Sequence, residues 1–276
     1  MSMSGASINI GPVLLAVLAA LTLLAAVVFG LSRLGSSAAV ARAAARAVLQ
    51  LGVVSLIIVT VLQSWWSTTA FIAVMYLVAS VTSSRRISPA GARWIPALPI
   101  GLGVLPALGL LIGSGVLPAT PLAVLPTAGI LIGGAMTATT LAGRHALDEL
   151  HTRYGEYEAG LALGFSERDA VLEVCRTPAG QALIPALDQT RTVGLVTLPG
   201  AFVGVLLGGA SPIQAGATQL LILVALLAVE AVAIAATVEL IARGVLRRSR
   251  QVRYEVAAGR WRAWRAASRS RSVLPK

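Results

Sequence analysis

Val13-Leu14-Leu15-Ala16-Val17-Leu18-Ala19-Ala20-Leu21-Thr22-Leu23-Leu24-Ala25-Ala26-Val27-Val28-Phe29 holds no charged residue. A helix needs about 20 apolar residues to cross the hydrocarbon core of a bilayer. The flanks of this run extend it to a span over 11–31. Working outward, six more runs of the same character read as spans at 47–62, 68–82, 95–117, 122–142, 190–208 and 216–242. The composition agrees. The chain is 57% hydrophobic and 12% charged, against roughly 25% charged in soluble domains. That deficit excludes an ordinary soluble globular protein, a disordered chain and a disulfide scaffold. The one cysteine, Cys175, has no internal partner for a disulfide.

The connections alternate in charge. Arg33, Arg42 and Arg46 follow the first run, Arg85, Arg86 and Arg93 the third, and Arg144, Arg153, Arg168, Arg176 and Arg191 lie between the fifth and sixth. The remaining basic residues, Arg243 to Lys276, follow the seventh, and the other connections carry none. All Lys and Arg therefore fall on one side, which the positive-inside rule makes the cytoplasm. The expectation is an all-α, polytopic membrane bundle of seven transmembrane helices in the plasma membrane, N-terminus outside and C-terminus cytoplasmic. No cleaved signal peptide is expected, since the first ten residues lack a basic region. A net charge of +11 does not point to nucleic acid, because the basic residues are interspersed among apolar runs instead of lining a soluble module. Residues 1–242 read as the transmembrane domain and 243–276 as a basic cytoplasmic tail. Trp261 and Trp264 give that tail a lipid-anchoring face, with a solvated tail as the other reading.

Local features refine this outline. Gln63-Ser64-Trp65-Trp66-Ser67 reads as an interfacial hairpin. Gly101, Gly103, Pro106 and Gly109 predict a kinked or broken fourth span. Gly129, Gly133, Gly134, Ala135 and Ala138 suit close helix approach in the fifth. Ser32 to Arg46 reads either as a helix on the membrane surface or as an extension of the second span.

The segment 143–187 is the most informative outside the membrane. Around Glu156, Glu158 and Ala159 the pattern is helical, Gly164 stops it, and Ser166 caps a new helix with Glu167 and Asp169 in its first turn. A compact helix–Gly–helix element of this kind suits docking into a groove of a partner.

Here the chain resembles a known family. Glu158-Ala159 followed by Leu163-Gly164, with Pro185 before the next span, looks like the coupling loop of ABC-transporter permeases. Val193-Gly194-Leu195-Val196-Thr197-Leu198-Pro199-Gly200, Leu207-Gly208-Gly209-Ala210-Ser211-Pro212, Gly129 to Met136, and Arg46 to Leu51 resemble the FetB family. These are iron-export permeases related to the membrane subunit of a plant aluminium-tolerance transporter. The resemblance covers roughly 40–242. It implies a permease whose coupling residues are Glu156, Glu158, Ala159, Leu163 and Gly164, docked on a separate P-loop ATPase that holds ATP and Mg; a homodimer is expected because closed symmetric dimers are the common solution. The family typically has Asn at Gly134, two Met at Ala201 and Phe202, a Gln near Val205 and an Asp near Ser211. The metal is thus unknown and the cargo open.

Individual residues then sort by cost. Glu230 sits mid-span, where a carboxylate costs about 2.5–3.5 kcal/mol. It reads as a proton or cation site, or as a carboxylate held neutral or hydrogen-bonded. Glu239 is expected to pair with Arg191 or Arg243. Gln50 reads as an interhelical hydrogen bond or a substrate contact, and Met136 and Thr137 as a minority pathway reading. Pro199 and Gly200 free backbone carbonyls that can line the pathway, or read as a gating hinge, the favoured reading. His145 and His151 do not share a helix face, so zinc is not expected. The chain has no Gly-x-x-x-x-Gly-Lys-Ser/Thr loop and no nucleophile–base arrangement, so it is not expected to be an enzyme or to bind a cofactor itself. The leading function is an ABC permease exporting a metal ion or small solute. The alternatives are a secondary transporter coupled through Glu230 and a non-transporting membrane scaffold.

Overall fold

The computed structural model describes residues 11–88 and 94–247, and the regular structure among them is helical. The C-terminal tail beyond Arg247, with Trp261 and Trp264, lies outside the described residues, as do Arg93 and residues 1–10. The chain divides into two compact units, Met1–Ser64 and Trp65–Lys276.

In the first unit, α1 (Pro12–Leu31) and α2 (Ser37–Leu62) pack as a hairpin. Pro12 opens α1, where a missing N–H costs nothing. The turn is tight: Arg33 adopts φ +51, and a Cβ on Gly30 would collide with the Ser37 hydroxyl. Within these helices only Ala26 and Val61 are buried. Arg42 and Arg46 lie on a continuous α2, so the stretch before the second run is an extension of that helix.

The second unit is built on two long helices, α5 (Pro121–Thr152) and α10 (Pro212–Ala242), packed on each other. α3 (Trp65–Ile87) lies on α5, and α4 (Ala97–Gly113) fits against α5 and α10. α6 (Tyr154–Ala162) follows α5 with only Arg153 between. α7 (Glu167–Gly180), a 3-10 turn (Gln181–Leu183), α8 (Ile184–Thr192) and α9 (Gly200–Leu207) complete it. Ser211 and Gln214 form a reciprocal capping box at the start of α10.

Two clusters of buried side chains hold the unit together. Ile100, Val104, Leu131, Ala135, Val229 and Ala233 join α4, α5 and α10. Ile87, Ala142, Ala146, Leu147, Cys175 and Val238 join α3, α5, α7 and α10. Acyl chains are as apolar as leucine, so close packing rather than water exclusion must hold helices together in a bilayer. The small residues serve that end. A Cβ on Gly103 would lie 2.6 Å from the Val229 carbonyl oxygen, so only glycine lets α4 approach α10 there. The Tyr76 hydroxyl donates to the Ala97 carbonyl at 2.6 Å, tying α3 to α4.

Five helices, α1, α2, α3, α5 and α10, are long and apolar enough to cross a membrane, and the apolar α4 is shorter. Of the two readings of the fourth run, kinked or broken, the broken one is excluded, since α4 is continuous with Pro106 inside it. One expectation needs correction. The sixth run, 190–208, is not one helix. α8 ends at Thr192, a turn follows in which the Gly194 N–H donates to the Thr197 carbonyl at 2.9 Å, and Pro199 caps α9. Gly194 sits at φ +81, a conformation glycine supplies without strain. Leu198, preceding a proline, is biased out of the helical region.

Candidate functional site

The helix–Gly–helix element forms as its local sequence dictates. α6 starts behind Arg153, whose guanidinium reaches Glu149 at 3.7 Å and binds Glu156. The Glu156 carboxyl is held below the ordinary carboxylate range by its hydrogen bonds from Arg153. At the other end Gly164 takes φ +93. The Gly164 N–H donates to the Leu161 carbonyl at 3.1 Å and the Phe165 N–H to the Gly160 carbonyl at 3.0 Å. This is the Schellman closure, and it satisfies the orphan carbonyls of the last turn. The Ser166 hydroxyl then accepts from the Asp169 N–H at 3.1 Å and caps α7.

The outcome is a short helix with no buried residue. Glu156, Glu158, Ala159, Leu163 and Gly164 are all exposed, Leu163 at 79%. Its companion is firmly held. The Arg168 guanidinium donates to both Glu239 oxygens, at 2.9 and 2.7 Å, and the Arg243 Nε donates to Glu239 Oε1 at 2.6 Å. The expected partner Arg243 is therefore present. Arg191 instead reaches Asp188 at 3.7 Å. Arg168 went unforeseen, because 71 residues separate it from Glu239. α7 also buries Cys175 against α5, its thiol 3.4 Å from the Ala146 carbonyl. Burial pushes that thiol up to about 12.

The membrane residues singled out in the sequence are not all brought together. Glu230 is 8% exposed on α10 and faces Gly134 on α5, where a Cβ would lie 2.7 Å from its Oε1. Met136 is half-buried, while Thr137 is exposed and donates to the Gly133 carbonyl of its own helix at 3.0 Å. Pro199 and Gly200 stand at the start of α9, and Gln50 lies in the other unit, exposed. A polar seam was missed. Ser80, Ser83 and Ser84 are buried on α3, and Ser83 Oγ is 3.0 Å from the buried Thr140 hydroxyl of α5. The spacing of those serines, three and four residues apart, was the available signal. Gln219 was also missed; its side-chain oxygen accepts from the Phe202 N–H at 3.2 Å, tying α9 to α10. Among the described residues no group of three or more His, Cys, Asp or Glu is placed to hold a metal ion.

Comparison with known proteins follows the same lines. Residues 12–246 match the family described as "Uncharacterised protein family (UPF0014)". The chain is 35% identical over 196 residues to the UPF0014 membrane protein STAR2 of Oryza sativa subsp. japonica, covering 69% of this chain and 68% of the relative. It is 34% identical over 183 residues to the protein ALUMINUM SENSITIVE 3 of Arabidopsis thaliana, covering 64% of this chain and 66% of the relative. It is 32% identical over 139 residues to the probable iron export permease protein FetB of Escherichia coli (strain K12), covering 50% and 53%. No solved structure matches the chain. The apolar helices and the match across nearly all of the described residues lead to one conclusion: the chain is a multi-pass membrane protein and belongs to the UPF0014 family.

Proposed function

We propose that this chain is the permease subunit of an ABC transporter in the plasma membrane, driven by a separate P-loop ATPase that docks on α6. The observation that carries the reading is α6, which has no fully buried residue and keeps Glu156, Glu158 and Ala159 exposed while Tyr157 rests on the core, closed at Gly164 and set between the long α5 and the anchored α7. A short helix with one face left exposed, flanked by elements that bury a great deal, is suited to a partner's groove. Glu156, Glu158, Ala159, Leu163 and Gly164 form its docking surface. The alternation of basic loops supports an orientation with this element in the cytoplasm, the N-terminus outside and the C-terminus inside. Two copies enclose the pathway at a twofold interface, as closed symmetric dimers commonly do.

The mechanism is one of coupled motion. ATP and Mg are held by the partner, and this chain makes and breaks no covalent bond. Closure of the ATPases moves α6, and Arg153 alone separates α6 from α5, so the displacement passes into the membrane. α7 moves with it and pulls on α10 through Arg168 and Glu239. Nucleotide favours whichever state it binds better, and the bundle switches between inward- and outward-facing forms. The cargo is a metal ion or small solute that is exported; the name of the bacterial relative, an iron export permease, supports that class.

A second reading has its own observation. Glu230 is buried in α10 against Gly134, and an ionisable group at that depth points to ion or proton coupling. It predicts transport without an ATPase. The test is co-expression with a P-loop ATPase subunit of the ABC class, followed by solute-stimulated ATP hydrolysis in lipid vesicles. Stimulation that is lost in Glu158→Lys supports the permease reading. Solute movement with no ATPase present, lost in Glu230→Gln, overturns it in favour of the secondary transporter. Absence of both leaves the scaffold reading.

A further inference from the structure

The sixth apolar run is broken, yet the chain through it is tied to α10 at two levels. Leu183, at the end of the 3-10 turn, lines a cavity together with Ala231, Ile234 and Ala235 of α10. Further along, the Phe202 N–H donates to the Gln219 side-chain oxygen. The stretch between them holds α8, which packs on α10 with Ala186 buried. α8 therefore follows α10 between the turn at 231–235 and Gln219.

The depth of that interval follows from α10 itself. Its 31 residues make about 46 Å of helix, against about 40–45 Å for a bilayer with its headgroups. Glu239, clasped by Arg168 and Arg243, marks the end at the basic loops. Ala231 lies about 12 Å further in, and Gln219 about 10 Å in from Pro212 at the other end. α8 is thus set at the level of the acyl chains, and its free face is charged there. Asp188, Gln189 and Arg191 are exposed, the Asp188 and Arg191 side chains at 61% and 73%. Their mutual contact of 3.7 Å is too loose to cancel two charges.

We infer that α8 is a wall of the aqueous translocation pathway, with Asp188, Gln189 and Arg191 facing the water through which the cargo moves. Lipid does not suit this face. Ionisable side chains at such depth turn to a bundle interior or a water-filled cavity, and an aspartate is too short to snorkel across about 10 Å to the headgroups. The open turn that follows, from Gly194 to Thr197, agrees, since irregular backbone at membrane depth is tolerated where it is buried in protein or lines water. A wall of one acid, one base and one amide suits a hydrated polar solute, whereas a lipid-like cargo makes no use of it. The competing occupant is a second copy pressed dry onto α8. It would strip both charges of water, a cost repaid only by close ion-pair geometry. The inference deepens the transport reading and rests on it, but not on the source of energy, because an ATP-driven and an ion-coupled carrier both need a wetted path.

The experiment labels single cysteines in the full chain, held in lipid nanodiscs without ATPase or solute. The reagent is 2-(trimethylammonium)ethyl methanethiosulfonate, a permanent cation that does not enter hydrocarbon, and intact mass reads the adduct. The wild-type chain, whose Cys175 is buried, sets the background. Leu24→Cys, exposed in the middle of the uncharged α1, is the reference for a thiol among acyl chains, which stays un-ionised. Asp188→Cys, Gln189→Cys and Arg191→Cys are each expected to react at least about tenfold faster than that reference. Gln189→Cys removes no charge, so it carries the test if either of the other variants fails to fold. Labelling of Gln189→Cys no faster than Leu24→Cys overturns the proposal. So does a spontaneous disulfide between two Gln189→Cys copies that shuts out the reagent, which would make α8 a dry interface. Neither result bears on ATPase stimulation, and loss of that stimulation would leave the labelling pattern standing.

Discussion

Replacing Gly164 by alanine isolates the backbone of the α6–α7 element. The residue sits at φ +93, and no heavy atom lies within 4 Å of where the new methyl group would stand. Steric collision with neighbours is therefore absent, and the cost is that of holding an L-residue in the left-handed region, about 1–2 kcal/mol. The bonds that depend on this conformation are Gly164 N–H to Leu161 and Phe165 N–H to Gly160. A cost of about 1.4 kcal/mol raises the open fraction of this closure about tenfold. Hydrogen exchange of the Phe165 amide, measured in lipid nanodiscs, should accelerate by that factor. Gly155→Ala is the matched control. Gly155 lies in α6 with no atom near its missing Cβ and no positive φ, so alanine there strengthens the helix by up to about 1 kcal/mol. The two variants should move exchange in opposite directions. Unchanged or slower exchange in Gly164→Ala would refute the claim that the left-handed turn closes α6.

Gly134→Ala drives a methyl group into Leu226 and Glu230; it should cost about 1–3 kcal/mol of stability by overpacking, read as a lower Tm in detergent. Glu239→Gln removes the carboxylate that Arg168 and Arg243 share; high salt should destabilise the native protein more than it destabilises this variant, as differential scanning fluorimetry would report. Cys175, buried with its thiol pushed up from 9.0 to about 12, should react with maleimide at pH 8 on the order of a thousandfold more slowly than a free cysteine. Because the unfolded thiol ionises from about pH 9 while the folded one stays neutral, Cys175 adds nothing to the pH dependence below pH 9. It lowers stability as pH rises from 9 towards 12. Cys175→Ser should flatten that part of the alkaline melting profile.

How much of this could be read from the chain depends on the range of the interaction. Rules spanning a few residues worked. The uncharged run from Val13 to Phe29 became α1, and Gly164 with Ser166 became a helix stop and a helix cap. Hydropathy, which averages over a window, misread 190–208 as one span, because the breaks at Gly194 and Pro199 leave the mean apolar. It also understated α2 and α3, whose polar ends belong to the same helices as their greasy centres. Contacts between distant segments were invisible. Nothing in the order of residues couples Arg168 to Glu239 or sets Glu230 against Gly134. Glu156, Glu158, Ala159, Leu163 and Gly164 come together because they lie on one short element, whereas Gln50, Met136, Thr137 and Pro199 were chosen by residue type and lie on different elements.

The turn between α8 and α9 has a consequence for its neighbours. Leu195, Val196 and Leu198 point outward at 91%, 76% and 64% exposure, while the amides of Leu195, Val196 and Thr197 crowd onto one acceptor, the Thr192 carbonyl. Amide groups of this sort find no further acceptors among hydrocarbon tails, and oily side chains gain nothing from bulk water. Neither solvent suits both halves of the turn, so the segment is at once too irregular for a plain span and too oily for a plain loop.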